Sequence, residues 1–491
     1  MPSFRAVLNI LGGVVMAFAV AMLVPLGVAA WIGESHIALR AYEGAAALTF
    51  GSGLVMWLGS RRAPRDLEPR DGILLVALVW TVLPLFASAP LLPYFHLAGA
   101  PISFTDAYFE AMSGLTTTGA TILTGLDQLP GSINLWRCLL QWIGGMGILI
   151  LAVAILPLLG VGGSQLFRAE AAGPMKEAKL TPRIAETAKG LWIVYSGMSL
   201  ACLLAYWSAG MSWMDAWTHM FATVSLGGLS SHDASFGYFQ SAELEWICVI
   251  FMLIASCNFA VYFVALKKRT PGHIFGDPEV RGTLIALVGA SVLVACLLLL
   301  GDPAEGTAQT IRHAFFNVVS IGSTTGFSTL DHTAWPPVAS VLMLVLSGVA
   351  TSAGSTGAGI KMIRVIILFK HARREMRKIL HPRAVAPVML DGRPVANETI
   401  FAVLAFMLVY GVAIIVFTLV LMASGLSFDV GFSAAVASIN NMGPGLGAIG
   451  PAGTFEPLTD FQTWVCAAAM LLGRLELLSV LVLFTPQFWR Q

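Results

Sequence analysis

Apolar residues run along this chain in blocks long enough to cross a bilayer, separated by short polar interruptions. At 1.5 Å of rise per helical residue, about 20 apolar residues cover a hydrocarbon core about 30 Å thick. Ten segments meet or approach that measure: Val7–Trp31, Glu43–Gly59, Ile73–Pro90, Leu135–Leu159, Gly190–Ala209, Trp246–Leu266, Gly282–Leu300, Val338–Phe369, Ile400–Ala423 and Trp464–Phe484. Four shorter helical stretches lie between pairs of them, at Asp106–Leu115, Asp215–Val224, Thr310–Gly322 and Asp429–Ile439. Each is too short to span. Aromatics stand near their starts (Tyr108 and Phe109, Trp217, Phe315 and Phe316, Phe432), and Asp106, Asp215 and Asp429 sit where an N-cap would.

Every short stretch ends in a turn rich in Ser, Thr, Asn and Gly. The turns are Thr116-Thr117-Thr118-Gly119, Val224-Ser225-Leu226-Gly227, Ser323-Thr324-Thr325-Gly326 and Asn440-Asn441-Met442-Gly443. Their spacing, on the order of a hundred residues, is far longer than that of solenoid repeats. Irregular backbone at membrane depth survives only where protein buries it or where it lines a water-filled path. The pattern predicts an all-α integral membrane protein with four units of helix, pore helix, turn and helix, whose turns wall one pore.

Composition and charge agree. Hydrophobic residues make up 57% of the 491 and charged residues 11%, against about a quarter charged in soluble domains. The first block is too long for a signal-peptide core and reads as a retained helix. With the N-terminus inside, the inner loops hold Arg61, Arg62, Arg65 and Arg70, then Arg168, Lys176, Lys179, Arg183 and Lys189, then Lys267, Lys268, Arg269 and Arg281. The longest holds Lys370, Arg373, Arg374, Arg377, Lys378, Arg383 and Arg393. Outside lie Arg40, Arg137 and Arg312 together with Asp127, Asp233, Glu243, Asp302, Asp331 and Glu456. This positive-inside pattern holds only if each short helix dips in and returns to the outer face, which also puts the C-terminus inside. The expected division is 1–70 for two extra N-terminal helices, then units 71–180, 181–275, 276–393 and 394–491, all in one orientation rather than inverted. The six cysteines fall singly in apolar segments and read as small buried hydrophobes, with no metal or redox spacing.

The turns carry the chemistry. A dehydrated cation needs several oxygens to replace its water, and rings of backbone carbonyls supply them. Glycine allows backbone angles that a Cβ would block, and each pore helix aims its partly negative C-terminal end at the ion. Below the turns, Gly354-Ser355-Thr356-Gly357-Ala358-Gly359-Ile360-Lys361 lacks the phosphate-loop pattern. Its glycines predict a break in the overlong Val338–Phe369 segment, with Lys361 either facing the pathway or snorkelling to the surface. Arg474 lies in the last apolar block, where an arginine must face protein or water, and reads as an electrostatic barrier in the permeation path or as a structural partner of a distant carboxylate. Asp233, Asp331 and Glu243 are candidates for concentrating cations at the outer mouth, and His219 and His232 for proton sensing.

Several motifs together carry a family resemblance: Ser231–Ser235, Gly354–Lys361, Asn440–Gly447 and Gly473–Glu476 (Gly-Arg-Leu-Glu). The chain resembles, from end to end, the TrkH subunits of bacterial Trk potassium-uptake systems in the Trk/Ktr/HKT superfamily. The resemblance implies potassium uptake across the bacterial inner membrane by a non-enzymatic, channel-like subunit without an organic cofactor. It implies one selectivity-filter glycine per unit, here Gly119, Gly227, Gly326 and Gly443. Glycine rather than serine at the first of these goes with potassium over sodium. It implies that Gly354–Gly359 obstructs the pore and moves during gating. It further implies a homodimer and a cytoplasmic TrkA-like partner that binds NAD and adenine nucleotides. The basic segment Lys370–Arg393 is a docking or lipid-headgroup surface, and no partnership with nucleic acid is expected. The rivals are a proton-coupled secondary transporter, for which Glu110 and Glu476 would be the carboxylates, and the membrane subunit of a potassium-pumping ATPase.

Overall fold

The computed structural model describes residues 4–61, 69–154, 184–301, 306–383 and 386–490. Ile155–Leu159 of the fourth predicted span, and Arg62, Arg65, Arg168, Lys176, Lys179, Arg183 and Asp302, lie outside them. The described residues are helical throughout apart from turns, loops and one two-residue antiparallel hairpin, Met389–Leu390 with Arg393–Pro394. Among the cysteines, Cys296 is exposed and the other five are buried and unpaired.

Among the described residues, five helical segments are long and apolar enough to cross a membrane: Phe4–Ile32, Arg70–Leu97, Ala188–Ser208, Pro278–Leu300 and Asn397–Ala423. The last two have only 28% and 22% of their most apolar window buried, leaving Ile285, Leu300, Phe401 and Leu408 exposed. An apolar surface that continuous suits lipid, not water. The chain is a multi-pass membrane protein. Near the N-terminus, Phe4–Ala21 packs on His36–Ser60 through Gly12 and Gly53; a Cβ on either would lie 2.8 Å from the other's carbonyl oxygen.

The short helices take the opposite role. They run Phe104–Leu115, Trp213–Val224, Thr307–Gly322 and Phe428–Ile439, and every residue from Ala107 to Leu115 is buried. Their C-terminal ends fall where the sequence predicts. Their N-caps do not: Ser103 and Ser212 accept from the backbone N–H of Asp106 and Asp215, at 3.0 and 3.1 Å. Asp106 and Asp215 are third in their helices, and Asp106 returns a bond to the Ser103 N–H at 3.2 Å. A serine hydroxyl has the short reach a cap needs, while the acid behind it closes the capping box. The fourth helix starts after Ser427, without a side-chain cap bond, and the third starts after Gly306.

Three helices that follow turns are broken. The break in the third unit, between Pro337–Val349 and Met362–Leu380, is the expected one. Two predicted continuous spans, Trp246–Leu266 and Trp464–Phe484, are also broken. Ala242–Ala255 and Phe259–Lys268 meet at 87°, and Asp460–Arg474 and Leu478–Phe484 at 106°. In the first, the Asn258 side chain recaps the chain by accepting from Ala260 N–H at 2.9 Å. In the second, Glu476 adopts a left-handed φ of 54°.

Candidate functional site

Each short helix ends in a Schellman-type cap, in which the second N–H past the cap reaches back five residues. Thr118 N–H donates to Ser113 O at 2.9 Å, Gly227 to Ala222 at 2.8 Å, Thr325 to Ser320 at 2.8 Å and Met442 to Ala437 at 2.9 Å. The cap residues are Thr116, Ser225, Ser323 and Asn440. The residue after each cap is left-handed without being glycine: Thr117 (φ 54°), Leu226 (54°), Thr324 (64°) and Asn441 (48°). Such angles cost about 1–3 kcal/mol each and persist only where the surroundings enforce them. Two residues further on come left-handed glycines: Gly119 (φ 80°), Gly228 (73°), Gly326 (90°) and Gly443 (94°).

The second turn is therefore Ser225-Leu226-Gly227-Gly228, one residue later than Val224–Gly227. Val224 is the last residue of its helix. Gly227, expected to match Gly119, instead matches Thr118, Thr325 and Met442 at the third position. The equivalent glycine is Gly228.

Contacts between turns close a ring. A Cβ on Gly119 would collide with the carbonyl oxygen of Gly227, one on Gly228 with that of Thr325, and one on Gly326 with that of Met442. A Cβ on Gly443 would lie 2.8 Å from the carbonyl oxygen of Thr118. Each fourth-position glycine thus abuts the third-position carbonyl of the next turn, in the order one, two, three, four and back to one. Glycine is needed at this closest approach. Hydroxyls brace the turns: Thr116 to Thr118 and Ser323 to Thr325, both at 2.7 Å, while the Asn441 amide donates to Thr118 Oγ1 at 2.9 Å. All four fourth-position glycines line one cavity on the side of the ring that also carries Arg137, His232 and Asp233. Asp331 and Glu243 are not among its lining residues.

Around that cavity the charges are organised. Arg137 and Glu110, each 1% exposed, pair at 2.7 Å. Arg137 also donates to Ser230 O at 3.0 Å, and Glu110 accepts from Ile122 N–H at 3.1 Å. Arg137 braces the segments after turns one and two. Arg312 pairs with Glu245 at 2.8 Å. His232 bonds Asp127 through Nδ1 and Asp215 through Nε2, the latter at 3.1 Å, and stacks on Tyr238. Burial works against its charge, but the two carboxylates outweigh burial and raise the imidazole above its ordinary value. His219 is buried and bonds Ser230 Oγ at 2.9 Å.

The unwound segment 350–361 lies on the other side of the turns. Thr356 Oγ1 donates to Val224 O at 3.1 Å, and Ala358 N–H donates to Thr324 Oγ1 at 3.2 Å. Gly354 and Gly359 are left-handed, at 76° and 84°. Ser352 N–H reaches Ser256 O at 2.9 Å, and Phe259 N–H reaches Gly354 O at 3.0 Å, so this break is stitched to the one in the second unit. Ser355 hydroxyl donates back to Ser352 O at 2.6 Å. Lys361 is buried and folds back to donate to Gly357 O instead of snorkelling. Arg474, 3% exposed, donates to Thr356 O at 3.0 Å and Gly144 O at 3.2 Å. No carboxylate pairs with it among the described residues. Glu476 instead holds Arg364 at 2.9 Å, a partner the sequence reading did not name.

Fold and ring together define a helical membrane transporter. The chain belongs to the TrkH family of cation transport proteins, whose family model matches residues 41–491. It is 44% identical over 490 residues to the Trk system potassium uptake protein TrkH of Halomonas elongata, covering 100% of both chains. It is 43% identical to the TrkH protein of Escherichia coli K12, covering 99% of this chain and 100% of that one. The crystal structure of the potassium transporter TrkH from Vibrio parahaemolyticus superposes with a TM-score of 0.90 at 39% identity, covering 99% of this chain and 100% of that one.

Proposed function

We propose that this chain takes up potassium across the bacterial inner membrane, through a pore whose filter is the four turns Thr116–Gly119, Ser225–Gly228, Ser323–Gly326 and Asn440–Gly443. The closed cycle of glycine-to-carbonyl contacts carries this reading, because it brings four sets of backbone oxygens and four helix C-termini to one ring. Such a ring suits an ion that has shed its water. The relatives' potassium uptake supports the choice of ion.

Segment 354–361 and Arg474 form the gate beneath it. The segment is bonded to turns two and three, and a buried cation without a carboxylate partner among the described residues opposes another cation nearby. The chain works as a homodimer with both termini in the cytoplasm, regulated by a TrkA-like nucleotide-binding partner docked on the basic end around Lys370–Arg393. The two carboxylates of the proton-coupled rival are each paired with an arginine, Glu110 with Arg137 and Glu476 with Arg364.

Rb⁺ and Na⁺ uptake into proteoliposomes, with and without a pH gradient, tests the proposal. Selective uptake that needs no proton gradient and is abolished by Gly119→Asp or Gly326→Asp is expected. Obligatory proton exchange would replace the pore by a coupled transporter.

A further inference from the structure

Turn two differs from the others at its third position. Turns one, three and four carry Thr118, Thr325 and Met442 there, whereas Gly227 brings no side chain. The space is filled from elsewhere. Gln141, on the helix Gly131–Ala154, reaches in with its amide. A Cβ built on Gly227 would collide with the amide carbon and lie 2.6 and 2.7 Å from Nε2 and Oε1.

Both ends of the amide are used. Nε2 donates to the Gly227 carbonyl oxygen at 2.6 Å, and Oε1 accepts from Leu229 N–H at 3.1 Å. One donor bond and one acceptor bond fix a single orientation of the amide. Gln141 is 0% exposed, and burying an amide among apolar helices is costly unless it is satisfied in this way. The oxygen it holds is the one that abuts Gly119 in the ring. Among the described residues, no side chain donates to the matching carbonyls of Thr118, Thr325 or Met442.

We propose that Gln141 is a positioning and selectivity-determining residue of the pathway. It pins turn two where a threonine side chain stands in turns one and three. By donating to Gly227 O it also makes one of the four ring oxygens a weaker, fixed ligand. Cation discrimination responds to the number and field strength of the coordinating carbonyls. Releasing this oxygen strengthens the local field and loosens the ring, which favours the smaller ion. The inference rests on the reading of the four turns as the filter.

The test is the ratio of Rb⁺ to Na⁺ uptake in proteoliposomes, with the thermal midpoint of each protein measured beside it. Gln141→Ala is expected to lower the ratio about fivefold, the worth of one net hydrogen bond. Gly227 is not left-handed, so Gln141→Ala with Gly227→Thr rebuilds the packing of turns one and three and, with no donor to the residue 227 carbonyl, recovers the part of the ratio that pinning supplies. A native ratio in Gln141→Ala overturns the proposal, as does a double variant no more selective than the single one. Should Gln141→Ala fail to fold, Gln141→Glu keeps the shape but turns an acceptor toward Gly227 O, and a native ratio there is equally fatal. Gly326→Ala, run in parallel, reports on the filter itself. Loss of uptake there, with an unchanged ratio in Gln141→Ala, rejects only the role of Gln141. Native uptake in Gly326→Ala removes the filter reading as well.

Discussion

The ring of turns and the layer of broken helices beneath it are built on different physics. In the ring no residue is charged, and the closest approaches are between backbone atoms: Gly119 against Gly227, Gly228 against Thr325, Gly326 against Met442. In the layer beneath, three cations are buried, Lys361, Arg364 and Arg474, at 9%, 1% and 3% exposure. They are held by side-chain bonds to carbonyls and to Glu476. Backbone contacts set the ring, and the Gln141 amide holds its second turn. Side-chain bonds can be exchanged one at a time, so the proposal expects the lower layer to move while the ring holds. The first is the proposed filter and the second the proposed gate.

The sharpest way to break that contrast is within turn two. Gly228→Ala places a Cβ against the Thr325 carbonyl at a left-handed φ of 73°. With about 3 kcal/mol of strain and clash in the ring, Rb⁺ uptake should fall about a hundredfold. Gly227→Ala meets the Gln141 side chain and not backbone, and its loss should stay below about tenfold. A reversed order, measured as proteoliposome uptake, would return the ring glycine to Gly227.

That one-residue shift shows where the sequence was legible. The short apolar helices, their C-terminal ends and the fourfold recurrence of turns could be read from hydropathy, because length and polarity suffice there. The register of turn two could not, because adjacent glycines at Gly227 and Gly228 satisfy the motif either way. Left-handed Thr117, Leu226 and Thr324 run against residue preference and are held by the bonded helix caps and the packing around them. The breaks at Ser256–Asn258 and Leu475–Leu477 hide because a few polar atoms barely dent the hydropathy of a long window. Gln141 did leave a signal, an isolated amide in an apolar helix, but its partner Gly227 O is 86 positions away in the chain.

In the lower layer, Arg474→Ala removes a buried positive charge and its bonds to Thr356 O and Gly144 O. Rb⁺ flux should rise, by about three- to tenfold, as the charge barrier goes and segment 354–359 loses a tether. Arg474→Lys keeps the charge and should stay near native. Unchanged flux in a folded Arg474→Ala protein would assign the arginine to structure alone. A smaller effect follows from Glu476→Gln. Arg364 keeps Ile360 O at 3.2 Å and the Phe406 ring at 3.9 Å, so the thermal midpoint should drop by the equivalent of about 1 kcal/mol.

The smallest effect lies on the cavity side of the ring. His232 is charged more readily in the fold than free, because Asp215 and Asp127 together outweigh the burial that opposes it. A folded pKa above the unfolded one means that the linkage stabilises fully below the unfolded value of about 6.5. That contribution is lost as pH rises through the folded value. Thermal midpoints of the native protein should therefore decline across this window, and His232→Gln should flatten the slope. The other groups facing the ring of His232 are His219, Tyr238 and Phe239. His219 is buried with its Nε2 on Ser230, so it should not replace the lost pH dependence. Because the cluster braces the loops and not the carbonyl ring, the Rb⁺ to Na⁺ ratio should not follow the midpoint. A ratio that tracked the titration would mean that the ring yields to its surroundings, and the contrast between a fixed upper layer and an adjustable lower one would fail.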